Sequence, residues 1–314
     1  MNLILHIGLP KTGTTALQNW LSCNMKELRE NDIYYIPSVM IGHRLAVETI
    51  PLSNRHYQPD ILNIKHTQMA QVDLALNKAV SSGAKNLLIS SEYFYISDPS
   101  LLIRVINNYH INLKKIICFV RRQDELLASG YNQDIKCLKR YMPFKVPGYF
   151  VMYDWLQMMN NWLAHSPKSL FRLKNYDYHK LNLSLFDTFA EELSLTTTLN
   201  KPVHKFANES LHAELLEMTR VANSLGHFAF AEHAIKAQQN GFKGSKFCFS
   251  DKIKKKILSY YKKSNKRIFK ETGLEEFRDF ASANEPDSPG IDLTNNFPVE
   301  YAIEFFLWYR QNIS

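Results

Sequence analysis

Several features are scarce or missing in this chain, and each absence excludes something. The four cysteines, Cys23, Cys118, Cys137 and Cys248, lie far apart and form no C-x-x-C pair. That excludes a closely spaced zinc site or a dense disulfide frame, and free thiols in a reducing compartment are expected. No apolar run approaches the length of a membrane span. The opening "MNLILHIGLP" has no basic leader, and its apolar run is broken at His6. No signal peptide is expected. There is no internal repeat and no low-complexity tract. The expectation is a cytoplasmic protein without a transmembrane segment, its association with the inner membrane face left open.

What is present is ordinary for a folded domain. Apolar residues make up 45% of the 314 and charged residues 22%, enough for a sizeable core. The length suits a single domain 1–314, with an α/β core over 1–148 and a mainly helical part over 149–314 completing it. A formal charge of +8 points to an anionic partner without choosing among nucleotide, nucleic acid, membrane and acidic glycan.

The first 125 residues alternate between short apolar runs and helical periodicities. "LILHIG" (3–8), "DIYYIP" (32–37), "NLLISS" (86–91) and "KIICFV" (115–120) read as strands. Helices are expected over 14–30, through "MAQVDLALNKAVSS" to a cap at Gly83, from Asp98-Pro99, and from Gln123 onward. This order predicts an α/β fold with a central parallel sheet covered by helices on both faces. Beyond residue 148, helical spacing covers 149–165, 183–193, 208–225 and 250–272, with one more strand at 169–174 and a loop at 282–295.

The chemistry concentrates at "HIGLPKTGTT" (6–15). Gly8, Gly13 and Thr15 match the spacing of a Walker loop, but Thr14 stands where its lysine belongs and a lysine comes earlier, as Lys11. A glycine loop between a strand and a helix offers backbone N–H groups and the positive helix end to an anion, and Thr14 and Thr15 add hydroxyls. No apolar run ends in a Walker-B aspartate: "NLLISSE" ends in Glu92 and "IICFVRR" in Arg121 and Arg122. The loop suits a tetrahedral anion stabilised by lysine better than a magnesium nucleotide.

"PKTGTT" after a first strand, followed by "FVRRQDELLASGY", resembles the sulfotransferases that use 3′-phosphoadenosine 5′-phosphosulfate (PAPS). The likeness covers mainly residues 3–25 and 86–135. It implies a P-loop NTPase-like three-layer sandwich with a helical C-terminal extension. It also implies that Pro10, Lys11, Thr12, Gly13, Thr14 and Thr15 hold the 5′-phosphosulfate. Arg121 and Ser129 would clamp the 3′-phosphate. The family often has proline two residues after the arginine; here Gln123 stands there. Lys243, Gly244 and Ser245 in "GFKGSK" are nominated for a loop over the adenine and 3′-phosphate.

The resemblance further implies sulfuryl transfer to a hydroxyl or amine of a carbohydrate, without metal, releasing 3′,5′-bisphosphoadenosine (PAP). Lys11 would meet the charge growing on the bridging oxygen. Glu92, at the carboxyl edge of the sheet, and His43, read as a loop histidine, are rival general bases. His6 reads as a satisfied core residue and Arg122 as the partner of an acid. Asn132 and Gln133 are candidates for acceptor contact or plain surface. Trp155 and Trp162 would stack on sugar or, at helical spacing, join the core. Three other readings stand beside the enzyme. They are a nucleotide kinase with an atypical loop, a noncatalytic glycan- or nucleotide-binding protein, and nucleic-acid binding through the basic helix, which has no recognised motif behind it.

Overall fold

The computed structural model describes residues 1–37, 41–51, 69–150, 153–176, 185–196, 199–200, 210–272 and 299–312. The chain gathers into two compact units, Met1–Arg121 with Val151–Lys205, and Arg122–Phe150 with Phe206–Ser314. The change of character read at 148/149 is therefore resolved differently. The chain leaves the first unit after Arg121 and re-enters it at Val151.

The first unit is the expected α/β fold. Strands β1 (Asn2–Ile7), β2 (Ile33–Ile36), β3 (Asn86–Ser91), β4 (Asn112–Val120) and β5 (Phe171–Asn175) form one parallel sheet in the order β2-β3-β1-β4-β5. In β1, β3 and β4, neighbouring residues that point to opposite faces are alike buried, as with Leu3 and Ile4, Leu87 and Leu88, and Ile116 and Ile117. A sheet with both faces covered requires such unbroken apolar runs rather than alternation.

Helices α1 (Thr14–Cys23) and α2 (Met25–Glu30) replace the single expected helix over 14–30. The break falls at Asn24, whose amide donates to the Trp20 and Asn200 carbonyls. On that face Leu17, Trp20 and Leu21 of α1 pack with Ile4, Leu88, Ile117 and Phe119 of the sheet and with Phe189 of α8 (Leu185–Leu193). Glu192 of α8 is held by Lys115 of β4 and by Lys174 of β5 at 2.9 Å. Helices α3 (His43–Glu48), α4 (Met69–Ser81) and α5 (Pro99–Asn107) complete the βα alternation. Gly83 follows α4 with φ +76, and α5 starts as expected, with Asp98 accepting from the Ser100 N–H at 2.8 Å.

The helix expected from 149 begins only at Trp155, as α7 (Trp155–Leu163). Asp154 accepts from the N–H groups of Leu156 and Gln157 at 3.1 and 3.2 Å, an N-cap that fixes the start. Trp155 and Trp162 are 1% and 0% exposed, so core burial, not sugar stacking, accounts for both.

The second unit is helical: α6 (Gln123–Cys137), α9 (Ala213–Ser224), α10 (Phe230–Gln239), α11 (Asp251–Thr272) and α12 (Val299–Asn312). Its core joins Ile135 of α6, Leu215 and Leu216 of α9, Ala234 and Ala237 of α10, and Phe305 of α12. Helices α10 and α12 have no counterpart in the sequence reading, and the loop read at 282–295 lies outside the described residues. Helix α9 starts five residues later than expected. The main chain of Leu211 exchanges two hydrogen bonds with the Asn132 side chain, at 2.9 and 3.0 Å. Asn132 is therefore a buried structural amide and not an acceptor contact. Gln123 and Asn265 exchange two amide hydrogen bonds at 3.0 Å, joining α6 to α11.

Among the described residues no helix is long and apolar enough to cross a membrane. The four cysteines are free, and burial pushes the Cys118 thiol pKa up.

Candidate functional site

Because all five strands run the same way, the segments leaving β1, β3, β4 and β5 emerge at one edge of the sheet. There Ile7 pairs with Ser91 and Cys118, and Val120 with Asn175. Ligands collect at this carboxyl edge in open α/β folds. Lys11, Glu92, Arg121 and Tyr176 all follow these strand ends.

The loop after β1 is tightly constrained. Gly8 donates to the Ser91 carbonyl at 3.0 Å, and a Cβ on Gly8 would lie 2.5 Å from Thr14 Oγ1. Lys11 and Gly13 both adopt positive φ, 63° and 75°, so the chain turns twice through the left-handed region before α1 begins. A Cβ on Gly13 would lie 2.5 Å from Leu185 Cδ2. Thr12 Oγ1 donates to the Leu9 carbonyl at 2.7 Å and Thr14 Oγ1 to the same oxygen at 3.3 Å. The Thr14 hydroxyl thus staples the loop to itself and is not the anion donor expected of it. Among the described residues, the backbone N–H groups of Gly13, Thr14 and Thr15 and the Thr15 hydroxyl meet no acceptor. These are the unsatisfied donors that a helix N-terminus offers to an anion. Pro10 is half-buried in the turn that precedes them.

Glu92 follows β3 directly and opens a short 3-10 turn, Glu92–Ile96. Burial raises its pKa, and the Lys11 ammonium acts in the opposite, weaker sense. The two nominated groups therefore sense each other electrostatically across the sheet edge.

His43 is the first residue of α3 and not a loop histidine. Its Nδ1 shares a 2.8 Å hydrogen bond with Ser91 Oγ, which also accepts from the Tyr93 N–H at 3.1 Å. The ring meets Tyr93 edge-on, and burial lowers its pKa. A neutral imidazole tied to Ser91 is the result. His6 is fully buried under the loop, its pKa lowered to about 3 by burial. Its Nδ1 meets Ser90 Oγ at 2.8 Å, while Nε2 has no partner among the described residues. The core reading holds, but only one of its two nitrogens is satisfied.

Arg121, just past β4, donates from Nη1 to the Lys11 carbonyl at 3.2 Å, and its guanidinium lies 5.5 Å from the centre of the Tyr176 ring. Its own carbonyl accepts from Trp155 Nε1 at 3.0 Å. Tyr176 is fixed in turn, its N–H donating to the Val120 carbonyl at 2.7 Å. A basic fork fixed on both sides beside a glycine loop has the geometry to meet an anionic group.

No family model matches this chain. Over 196 residues it is 25% identical to an uncharacterized protein of Archaeoglobus fulgidus, a match covering 59% of this chain and 53% of that protein. The chain thus spans about half the length of the curated relative it matches.

The remaining nominees belong to the second unit. Ser129 is half-buried on α6. Lys243 and Gly244 are exposed, and the Ser245 N–H donates to the buried Glu214 carboxylate at 2.9 Å, anchoring this loop to α9. Arg122 pairs with Asp124 at 2.7 Å and faces Glu125 at 3.7 Å, as expected of an arginine that serves the fold. Ser91 and Tyr176 were missed by sequence reading. Both sit where a strand of the parallel sheet ends, and that placement was the available signal.

Proposed function

We propose that the protein is a PAPS-dependent sulfotransferase acting on a carbohydrate hydroxyl or amine. The observation that supports this best is the loop itself. Among the described residues, three consecutive main-chain N–H groups without acceptors follow Lys11 in the loop, and the half-buried Glu92 follows the neighbouring strand. These donors fit the 5′-phosphosulfate of the donor substrate, and Arg121 beside Tyr176 fits its 3′-phosphate.

In the proposed reaction the acceptor oxygen or nitrogen forms a bond to sulfur as the bond from sulfur to the bridging oxygen breaks. The electron pair stays on the departing phosphate, where Lys11 and the loop N–H groups offset the new charge. Glu92 takes the acceptor proton. Its burial favours proton uptake, and Lys11 keeps the ionised form accessible. Burial weakens His43 as a proton acceptor and strengthens Glu92, so Glu92 is the preferred base. The carbohydrate class follows from the family resemblance.

Calorimetry with PAP and with ATP, each with and without magnesium, tests the reading. Binding of PAP in preference to ATP, without a magnesium requirement, is the expected result. Tighter binding of ATP with magnesium would replace this reading with the kinase.

A further inference from the structure

Helix α11 carries nine lysines and arginines and two acids, so it holds +7 of the chain's formal +8. The rest of the protein is close to neutral, and the basic character is a local property of one helix.

The distribution around the helix is equally uneven. At about 100° per residue, Lys252, Lys255, Lys256, Lys262, Lys263, Lys266, Arg267 and Lys270 fall within an arc of about 140°. All eight are exposed. Ile257, Leu258, Tyr261, Asn265 and Ile268 are buried on the opposite side. No acid lies within the arc. Arg267 pairs with Glu271 at 2.5 Å, whereas the seven lysines have no carboxylate partner among the described residues. Lys254 lies on the buried side, 3.9 Å from Asp251.

We infer that this lysine stripe docks the protein on an anionic lipid bilayer. Three features favour a bilayer over other polyanions. The stripe follows one unbroken helix for about 27 Å from Lys252 to Lys270, so its ammonium groups can meet a plane of headgroups together. It consists of lysines almost alone. A compact ammonium suits diffuse attraction to a charged surface, whereas forked recognition of nucleic-acid phosphates or glycan sulfates favours arginine. Its edges carry Tyr260, 37% exposed, and the half-buried Ile253 on one side and Phe269 on the other, side chains suited to the boundary between headgroups and water. The apolar face of α11 is already buried in the protein, so docking is peripheral and salt-sensitive, without insertion.

The test is co-sedimentation of the full chain with phosphatidylcholine vesicles and with mixed phosphatidylcholine/phosphatidylserine vesicles. Binding is expected only to the mixed vesicles and is expected to fall with added salt. Each lysine near an anionic surface is worth about fivefold in binding. Replacing Lys255, Lys256, Lys262 and Lys263 with Gln should therefore weaken it on the order of a hundredfold or more. A variant of equal charge, with Lys26, Lys78, Lys114 and Lys168 replaced by Gln, should bind as the parent does. Equal losses in the two variants would show that net charge alone acts, and an unaffected stripe variant would overturn the proposal outright. So would tighter binding to a sulfated polysaccharide or to RNA than to the mixed vesicles. Circular dichroism of both variants verifies that α11 is retained, and these exposed positions leave the core untouched.

Discussion

The Arg121 guanidinium donates to the main-chain carbonyl of Lys11 at 3.2 Å, so the end of β4 is clamped directly to the glycine loop that follows β1. This arginine has two separable tasks, bracing the loop and, in the proposed function, meeting the 3′-phosphate. Replacement by Ala removes charge-assisted hydrogen bonds worth about 1.5–3 kcal/mol each, so PAP affinity should fall at least about tenfold. Adenosine 5′-phosphosulfate, which lacks the 3′-phosphate, should lose much less. Calorimetry with the two ligands separates the tasks, because equal losses would leave Arg121 only the bracing of the loop.

Glycines in the loop and in α6 should respond in opposite directions. Gly13→Ala forces a side chain into a backbone at φ +75 and against Leu185. The conformational part alone costs about 1 kcal/mol, and PAP binding should weaken with it. Gly130 lies inside α6, where an added Cβ meets nothing within 4 Å. Gly130→Ala should stabilise the protein by about 0.5–1 kcal/mol. Denaturant unfolding of both variants measures the contrast.

Glu92 makes a pH prediction with a definite sign. Its folded-state pKa is raised, chiefly by burial, so the native state holds the proton more tightly than the unfolded chain. The stabilisation this gives is complete below the unfolded value and is lost as pH rises through the raised folded value. Glu92→Gln should therefore be more stable than the parent at neutral pH, with the difference vanishing in mild acid. In activity, the parent should lose transfer as pH falls through the raised pKa. The Gln variant should transfer at no pH yet still bind PAP, and His43→Gln should keep measurable transfer. Unfolding curves and rates across pH check both halves.

The elements that carry the loop were legible because burial imposes a visible pattern. β3 is the run "NLLISS" itself, and the "DP" before α5 behaves as a cap followed by a first-turn proline. Helix α10 escaped because its buried side is Ala231, Ala234 and Ala237, small residues that give little periodic contrast. Helix α7 was drawn too long because Asp154, a capping residue, sits amid apolar neighbours that extend the apparent period. Lys11, Glu92 and Arg121 could be nominated for the candidate site because each directly follows an apolar run or sits in a glycine loop. Tyr176 and Ser91 were not, because their importance comes from being side by side with residues distant in sequence. The tie between His43 and Ser91 spans 48 positions, and no local spacing encodes it.

Gln123, which departs from the proline frequent at that place in the family it resembles, has a use of its own. Its side chain is 0% exposed and exchanges two 3.0 Å hydrogen bonds with Asn265, itself 1% exposed. Two buried amides facing each other satisfy one another, and each loses these two hydrogen bonds when its partner goes. Gln123→Ala or Asn265→Ala should each cost about 1–3 kcal/mol of stability, much of it the desolvation of the amide left behind. In the double variant the shared pair of bonds is lost only once, so its cost should fall short of the two single costs added together. Urea unfolding of the four proteins in this cycle gives the coupling directly. Strict additivity would mean that α6 and α11 are held together by their apolar contacts and not by this pair.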